Sequence, residues 1–128
     1  MPVPPDLTYF RLSEFRHPEL VLEEAVRFLE AVRAIYAAPL VLTSDARTPE
    51  ENAQASGSSP TSWHLSGRAF DLRYPGSAEL VWRFVAAVVK VAGERPIELE
   101  LVNSKSDRHL HLAVLPPGRP SRMLVRAD

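Results

Sequence analysis

Apolar positions recur at helical spacing in two stretches of the chain. Leu22, Ala25, Val26, Leu29, Val32 and Ile35 fall three and four apart, which predicts a helix over about 18–37. Pro18 suits its first turn, Glu23 and Arg27 pair four apart on its outer face, and Pro39 ends it. Leu80, Val81, Phe84, Val85, Val88 and Val89 predict a second helix over about 77–92, capped by Ser77 and stopped by Gly93. Thr48-Pro49-Glu50-Glu51 has the capping-box pattern of a third helix, which the Gly- and Ser-bearing loop at 56–62 must keep short.

Elsewhere the period is two. Phe70, Leu72 and Tyr74 alternate with Ala69, Asp71 and Arg73, predicting a strand over 68–74. Ile97, Leu99 and Leu101 alternate with Glu98 and Glu100, and Leu110, Leu112 and Val114 alternate with His109, His111 and Ala113. These predict strands over about 97–102 and 108–115, joined by a polar turn, and 40–44 reads as a short buried strand. Residues 1–17 are irregular, with Phe10, Leu12 and Phe15 as candidate pins onto the core. The proline- and arginine-rich tail, 116–128, is open to two readings, an edge strand or a mobile end. Helices and strands mix without strict alternation, repeat or internal boundary, which predicts one α+β domain over 1–128.

Strand parity also sorts the polar residues. If the leucines of both late strands face the core, an antiparallel hairpin puts Glu98 and Glu100 on the same side as His109 and His111. Asp71 likewise lies opposite Phe70 and Leu72, and Gly67 lets the backbone turn so that His64 comes back toward Asp71. Two imidazoles and one carboxylate, with a fourth position open, are the donor set of a catalytic zinc. Ordinary alternatives stand beside this one. His64 next to Trp63 could be a plain core or surface residue, and Asp71 could pair with Arg68 or Arg73. The His-x-His pair and the two glutamates could be solvated strand faces, and Glu51 needs only its capping role.

Composition narrows the choice. The 128 residues suffice for one core, and 45% apolar with 24% charged residues is ordinary for a globular protein. A net charge of −1, with arginines scattered among acids, makes no electrostatic case for nucleic acid or an anionic membrane. The absence of cysteine removes thiolate sites, so any zinc must use His and Asp or Glu. No run reaches the ~18 apolar residues of a membrane span. Met1-Pro2-Val3-Pro4-Pro5-Asp6 has neither a basic region nor an apolar core, which predicts no signal peptide. The expectation is therefore cytoplasmic synthesis, with phage association or release to the cell wall by another factor.

Ser62-Trp63-His64-Leu65-Ser66-Gly67-Arg68-Ala69-Phe70-Asp71 resembles the Ser-x-His-x-x-Gly-x-Ala-x-Asp zinc motif of M15 peptidases. These are D-alanyl-D-alanine carboxypeptidases and dipeptidases, and phage endolysins that cleave peptidoglycan peptides. Phe10-Arg11-Leu12-Ser13-Glu14-Phe15 is similar to the opening of the small phage-type branch. The segment from Leu42 to Asn52 resembles its Thr-Ser-x-x-Arg-(Ser/Thr)-x-x-x-Asn pattern. His109-Leu110-His111-Leu112-Ala113-Val114 resembles its last ligand strand, and still more the His-x-His strand of hedgehog signalling domains, which share that fold. The likeness covers about 10–115 and implies a small antiparallel sheet packed with two main helices.

The resemblance implies that His64, Asp71 and His111 bind one zinc ion per chain, and that Arg47 stabilises the oxyanion. It implies that Ser62 orients the site or substrate, and that His109 donates a hydrogen bond in the transition state. One departure stands out. The family's carboxylate, often three residues before the last ligand, is replaced by Arg108, and the hedgehog glutamate before Ser-Lys is replaced by Asn103. The general base is then Asp107, Glu100 or Glu98, or it is missing. The leading expectation is a monomeric zinc metallopeptidase that hydrolyses an amide bond in peptidoglycan stem peptides, as a D,D-carboxypeptidase or an L,D-type endopeptidase. The alternatives are a zinc-binding module without turnover, which binds cell wall or a protein, and a metal-free structural domain.

Overall fold

A computed structural model describes residues 3–55 and 62–127. Five strands form one sheet: β1 (Leu42–Ser44), β2 (Ala69–Arg73), β3 (Ile97–Asn103), β4 (Arg108–Val114) and β5 (Arg122–Ala127). Their order across the sheet is β1-β2-β4-β3-β5. Helices α1 (Glu23–Tyr36) and α3 (Ala78–Ala92) pack together on one face, and short α2 (Pro49–Gln54) follows β1.

The alternating leucines decide the layering. Phe70, Leu72, Leu99, Leu101, Leu110, Leu112 and Val114 all join one core with Val26, Leu29 and Val32 of α1 and Val81, Phe84 and Val88 of α3. Fully burying a side chain such as Phe70 or Phe84 contributes about 1.5–3 kcal/mol, so this face holds the domain together. The opposite face carries a small apolar cluster, Ala69, Ala113 and Leu115 with Trp63, and gathers most of the buried polar groups.

Several expectations shift in detail. Helix α1 starts at Glu23 rather than near Pro18, because Val21 is buried and the Leu22 N–H donates to the Gly67 carbonyl at 2.9 Å. Gly67 has φ +72°, and a Cβ there would lie 2.2 Å from the Leu20 carbonyl oxygen, so glycine is required at this close approach. Ile35 and Val89, expected in the core, are exposed, while Phe28, Tyr36, Ala87 and Ala92 are buried. Phe10 and Phe15 do pin the N-terminal segment, Phe15 meeting Phe70 edge-on with centroids 6.4 Å apart, but Leu12 points to solvent.

The tail resolves as an edge strand. Strand β4 ends beside the start of β3, with Val114 opposite Ile97. The short link therefore steps over that end, and Ser121 Oγ accepts the Ile97 N–H at 3.1 Å. Strand β5 then runs parallel to β3, so the sheet is antiparallel through β1, β2, β4 and β3 and mixed at its edge. Among the described residues, no helix is long and apolar enough to cross a membrane.

Candidate metal centre

The polar face of the sheet gathers the residues singled out by their spacing. Ser62 Oγ accepts the His64 N–H at 3.2 Å and opens a single tight turn, Trp63–Ser66, which left-handed Gly67 closes. The Arg47 N–H donates to the His64 carbonyl at 3.0 Å, tying this turn to the segment after β1. A register shift between Leu42 and Ser44 makes the pairing of β1 with β2 irregular just before Asp45. There the Asp45 carbonyl accepts from His64 Nδ1 at 2.6 Å, which fixes the imidazole tautomer and leaves Nε2 as a donor atom.

The ladder supplies the other two groups. Asp71 of β2 lies directly opposite His111 of β4. Asp71 Oδ1 is 3.1 Å from His111 Nδ1 and 3.3 Å from His64 Nε2. On the far side of the ring, His111 Nε2 donates to Glu98 Oε1 at 2.8 Å, and Arg122 of β5 holds the other Glu98 oxygen at 3.2 Å. The three ring and carboxylate donors of His64, Asp71 and His111 lie within 4.8 Å of one another, and each residue is over nine-tenths buried or close to it.

Burial alone would raise Asp71 and lower His111. The bonds between Asp71 and the two imidazoles outweigh it and hold the Asp71 carboxyl well below the usual carboxylate range. Bonds to Asp71 and Glu98 likewise push His111 up to about 9. The bond from His111 lowers Glu98 against its burial. Without metal, the protonated His111 ring lies between two carboxylates, donating from Nδ1 to Asp71 and from Nε2 to Glu98.

The donor set fits zinc. Two ligands bound at about 2.0–2.2 Å to one tetrahedral ion lie roughly 3.3–3.6 Å apart. The Asp71 contacts of 3.1 and 3.3 Å are close to that edge. A backbone carbonyl behind His64 and a carboxylate behind His111 are the outer partners that orient imidazole ligands.

Around this centre, Arg47 reaches Asp71 Oδ2 at 3.2 Å and Asn52 Oδ1 at 3.4 Å. His109 Nε2 is 3.9 Å from Asp71 Oδ1, and its Nδ1 is bonded to Asp107 Oδ1 at 2.9 Å. Asp107 is in turn held in the β3–β4 turn, where Ser104 Oγ accepts its N–H at 3.1 Å. Glu100 lies opposite His111 in the ladder, but its carboxylate pairs with Arg126 at 3.4 Å. Asn103 Oδ1 accepts from Arg108 Nε at 2.8 Å. Arg47, Glu100, Asp107, His109 and Arg126 line one cleft of about 650 Å³ with His64, Asp71 and His111.

Two contributions escaped the sequence. Asp45 was never singled out, yet its carbonyl orients His64 and its Oδ2 accepts the Arg16 N–H at 2.6 Å. Burial pushes the Asp45 carboxyl up, and Oδ1 has no hydrogen-bond partner among the described residues. Glu98, one of the candidate bases, instead serves His111. Strand parity put it on the correct face, but only the register brings the two together.

A family model described as peptidase M15 matches residues 9–113. No curated protein matches the chain. Among solved structures, the fold is similar to a Serratia marcescens protein titled L-Ala D-Glu endopeptidase ChiX. The two share 18% identity with a TM-score of 0.60, over 86% of this chain and 92% of that one.

Proposed function

The chain belongs to the M15 peptidase family, and from that premise we propose that it is a zinc-dependent peptidase cleaving an amide bond in peptidoglycan stem peptides. The observation that carries this reading is the convergence of His64, Asp71 and His111 beside Arg47 in one cleft. His64 Nε2, Asp71 and His111 Nδ1 would hold the metal. Bound there, zinc supplies a charge that polarises a carbonyl and acidifies a water. The name of the Serratia protein, an endopeptidase, favours that form over the carboxypeptidase.

The chain's own groups divide the remaining work. Arg47 offers its guanidinium to the oxygen that becomes negative when the carbonyl carbon turns tetrahedral. Asp107 accepts the His109 Nδ1–H, which leaves the Nε2 lone pair facing the centre. His109 Nε2 takes the proton of the attacking water and returns it to the leaving amine, with Asp107 holding the ring. This assignment makes His109 the base and Asp107 its positioning partner. Glu100 is committed to Arg126, and Glu98 to His111 and Arg122.

A second reading has an observation of its own. Asn103 and Arg108 bond each other where family members carry a carboxylate, which favours a zinc-binding module without turnover.

One experiment separates the two. Purified peptidoglycan is incubated with zinc-loaded wild type, His109→Ala and Asp107→Asn, and new amino termini are counted alongside bound zinc. The peptidase reading expects one zinc per chain in all three, release by wild type, and losses of about 10²–10⁴-fold in His109→Ala. Zinc without release establishes the binding module. Absence of zinc overturns both readings.

A further inference from the structure

The family match ends at residue 113, and β5 begins at Arg122. This strand beyond the matched segment still reaches the metal centre. Ser121 Oγ accepts the Ile97 N–H, and the parallel ladder then sets Arg122 beside Glu98. The buried Glu98 carboxylate is bound at both oxygens, Oε2 by the Arg122 guanidinium at 3.2 Å and Oε1 by His111 Nε2 at 2.8 Å. A carboxylate held at one oxygen can turn about its side-chain torsions, whereas one held at both offers the imidazole a fixed acceptor. The His111 ring then keeps Nδ1 toward Asp71, at 3.1 Å.

Strand β5 carries a matched pair for comparison. Arg126 meets Glu100 of β3 at 3.4 Å. The Arg122 and Arg126 side chains are 57% and 56% exposed, so the two ion pairs are alike and each adds little stability. They differ in what the glutamate touches. Glu98 bonds His111, while Glu100 has no bond to a histidine among the described residues. Resting on the zinc reading above, we propose that Arg122 is a positioning residue for the metal centre, which acts through Glu98 to hold the His111 ring with Nδ1 toward the ion. Without the guanidinium, Glu98 Oε2 is a buried acceptor with no partner among the described residues, and the side chain is drawn toward water and away from His111. Charge alone acts in the opposite sense, because a cation near the site repels the ion.

The test is zinc affinity, read by chelator competition in the full chain. Arg122→Gln should bind zinc about two- to fivefold more weakly, the scale of one exposed ion pair. Arg122→Lys, which keeps a cation for Oε2, should recover part of that loss, and Arg126→Gln should match wild type. Placed in a Glu98→Gln chain, Arg122→Gln should cause no further loss, because its action runs through that carboxylate. Unchanged or tighter binding in Arg122→Gln, an equal loss in Arg126→Gln, or a further loss in the Glu98→Gln chain overturns the proposal. A second readout, on the metal-free chain, separates it from the zinc reading. The His111 Nε2–H proton should give a slowly exchanging NMR signal in wild type and Arg126→Gln, and exchange faster in Arg122→Gln. If wild type binds no zinc, the zinc reading fails, and this signal still decides whether Arg122 positions the ring. Equal exchange in all three chains removes the assignment.

Discussion

The middle and the beginning of β4 are built on different principles. His111, in the middle, lies between two paired strands, with Asp71 across one ladder and Glu98 diagonally across the other. Its neighbours come from positions 40 and 13 residues away in sequence. His109, at the beginning, is placed by the adjoining turn, while its neighbour Arg108 also rests on the Tyr74 ring. Asp107 holds His109, Asn103 holds Arg108, and Ser104 holds Asp107. Moving the central group means changing the sheet register, whereas regrouping the turn changes a few exposed bonds. The candidate metal ligands are therefore locked to the fold, while the groups proposed to move protons sit where substitution costs little stability.

The hardest test of this contrast is Asp71→Asn. It removes the carboxylate shared by His64 and His111, and should weaken zinc by more than the ~10–100-fold that loss of an outer partner costs. Competition against a chelator measures it, and Asp107→Asn in the same assay should leave zinc affinity near wild type. If both variants lose zinc alike, the centre and the turn are not separate systems.

Glu98→Gln is expected to have an intermediate effect. The amide can still accept from His111 Nε2 but no longer balances its charge, so zinc affinity should drop about 10–100-fold with the fold intact. Normal affinity in this variant would show that register beside the centre does not matter.

The smallest effect lies outside the centre, where Glu51 both caps α2 and pairs with the distant His17. Hydrogen bonds from the Thr48 backbone and from His17 lower Glu51 to about 2, and the bond to Glu51 raises His17 above 6.5. A lowered carboxylate stabilises the fold above its ordinary value of 4.5 and loses that contribution as pH falls through about 2. The raised imidazole stabilises fully below 6.5 and loses its share as pH rises through its folded value. The Tm advantage of wild type over Glu51→Gln should thus be greatest between about 4.5 and 6.5, shrink partly on the alkaline side, and vanish near pH 2. An advantage that does not vary with pH would show that the capping geometry alone, without charge, carries the contact.

Much of this was legible along the chain. The spacing of three and four in α1 and α3, and the alternation in β2, β3 and β4, are direct consequences of side-chain period. Because any register that buries the alternating leucines keeps the same parity, the gathering of His109, His111, Glu98, Glu100 and Asp71 on one face could be read before any pairing was known. The motif from Ser62 to Asp71 marked two candidate ligands, since a tight turn closed by Gly67 keeps His64 and Asp71 close.

The partners of those groups required the fold. Glu98 serves His111 because β3 pairs with β4 in one register, and a shift by two residues would have kept the parity and put another residue there. The Asp45 carbonyl orients His64 through a backbone atom, which no residue type announces. Strand β5 runs parallel because β4 happens to end at the start of β3, and Arg122 and Arg126 reach the two glutamates only as a result. Periodicity is a property of one segment and survives in isolation. Register, backbone donors and the contact of Arg108 with Tyr74 depend on which segments meet, and packing of the apolar face alone selects that.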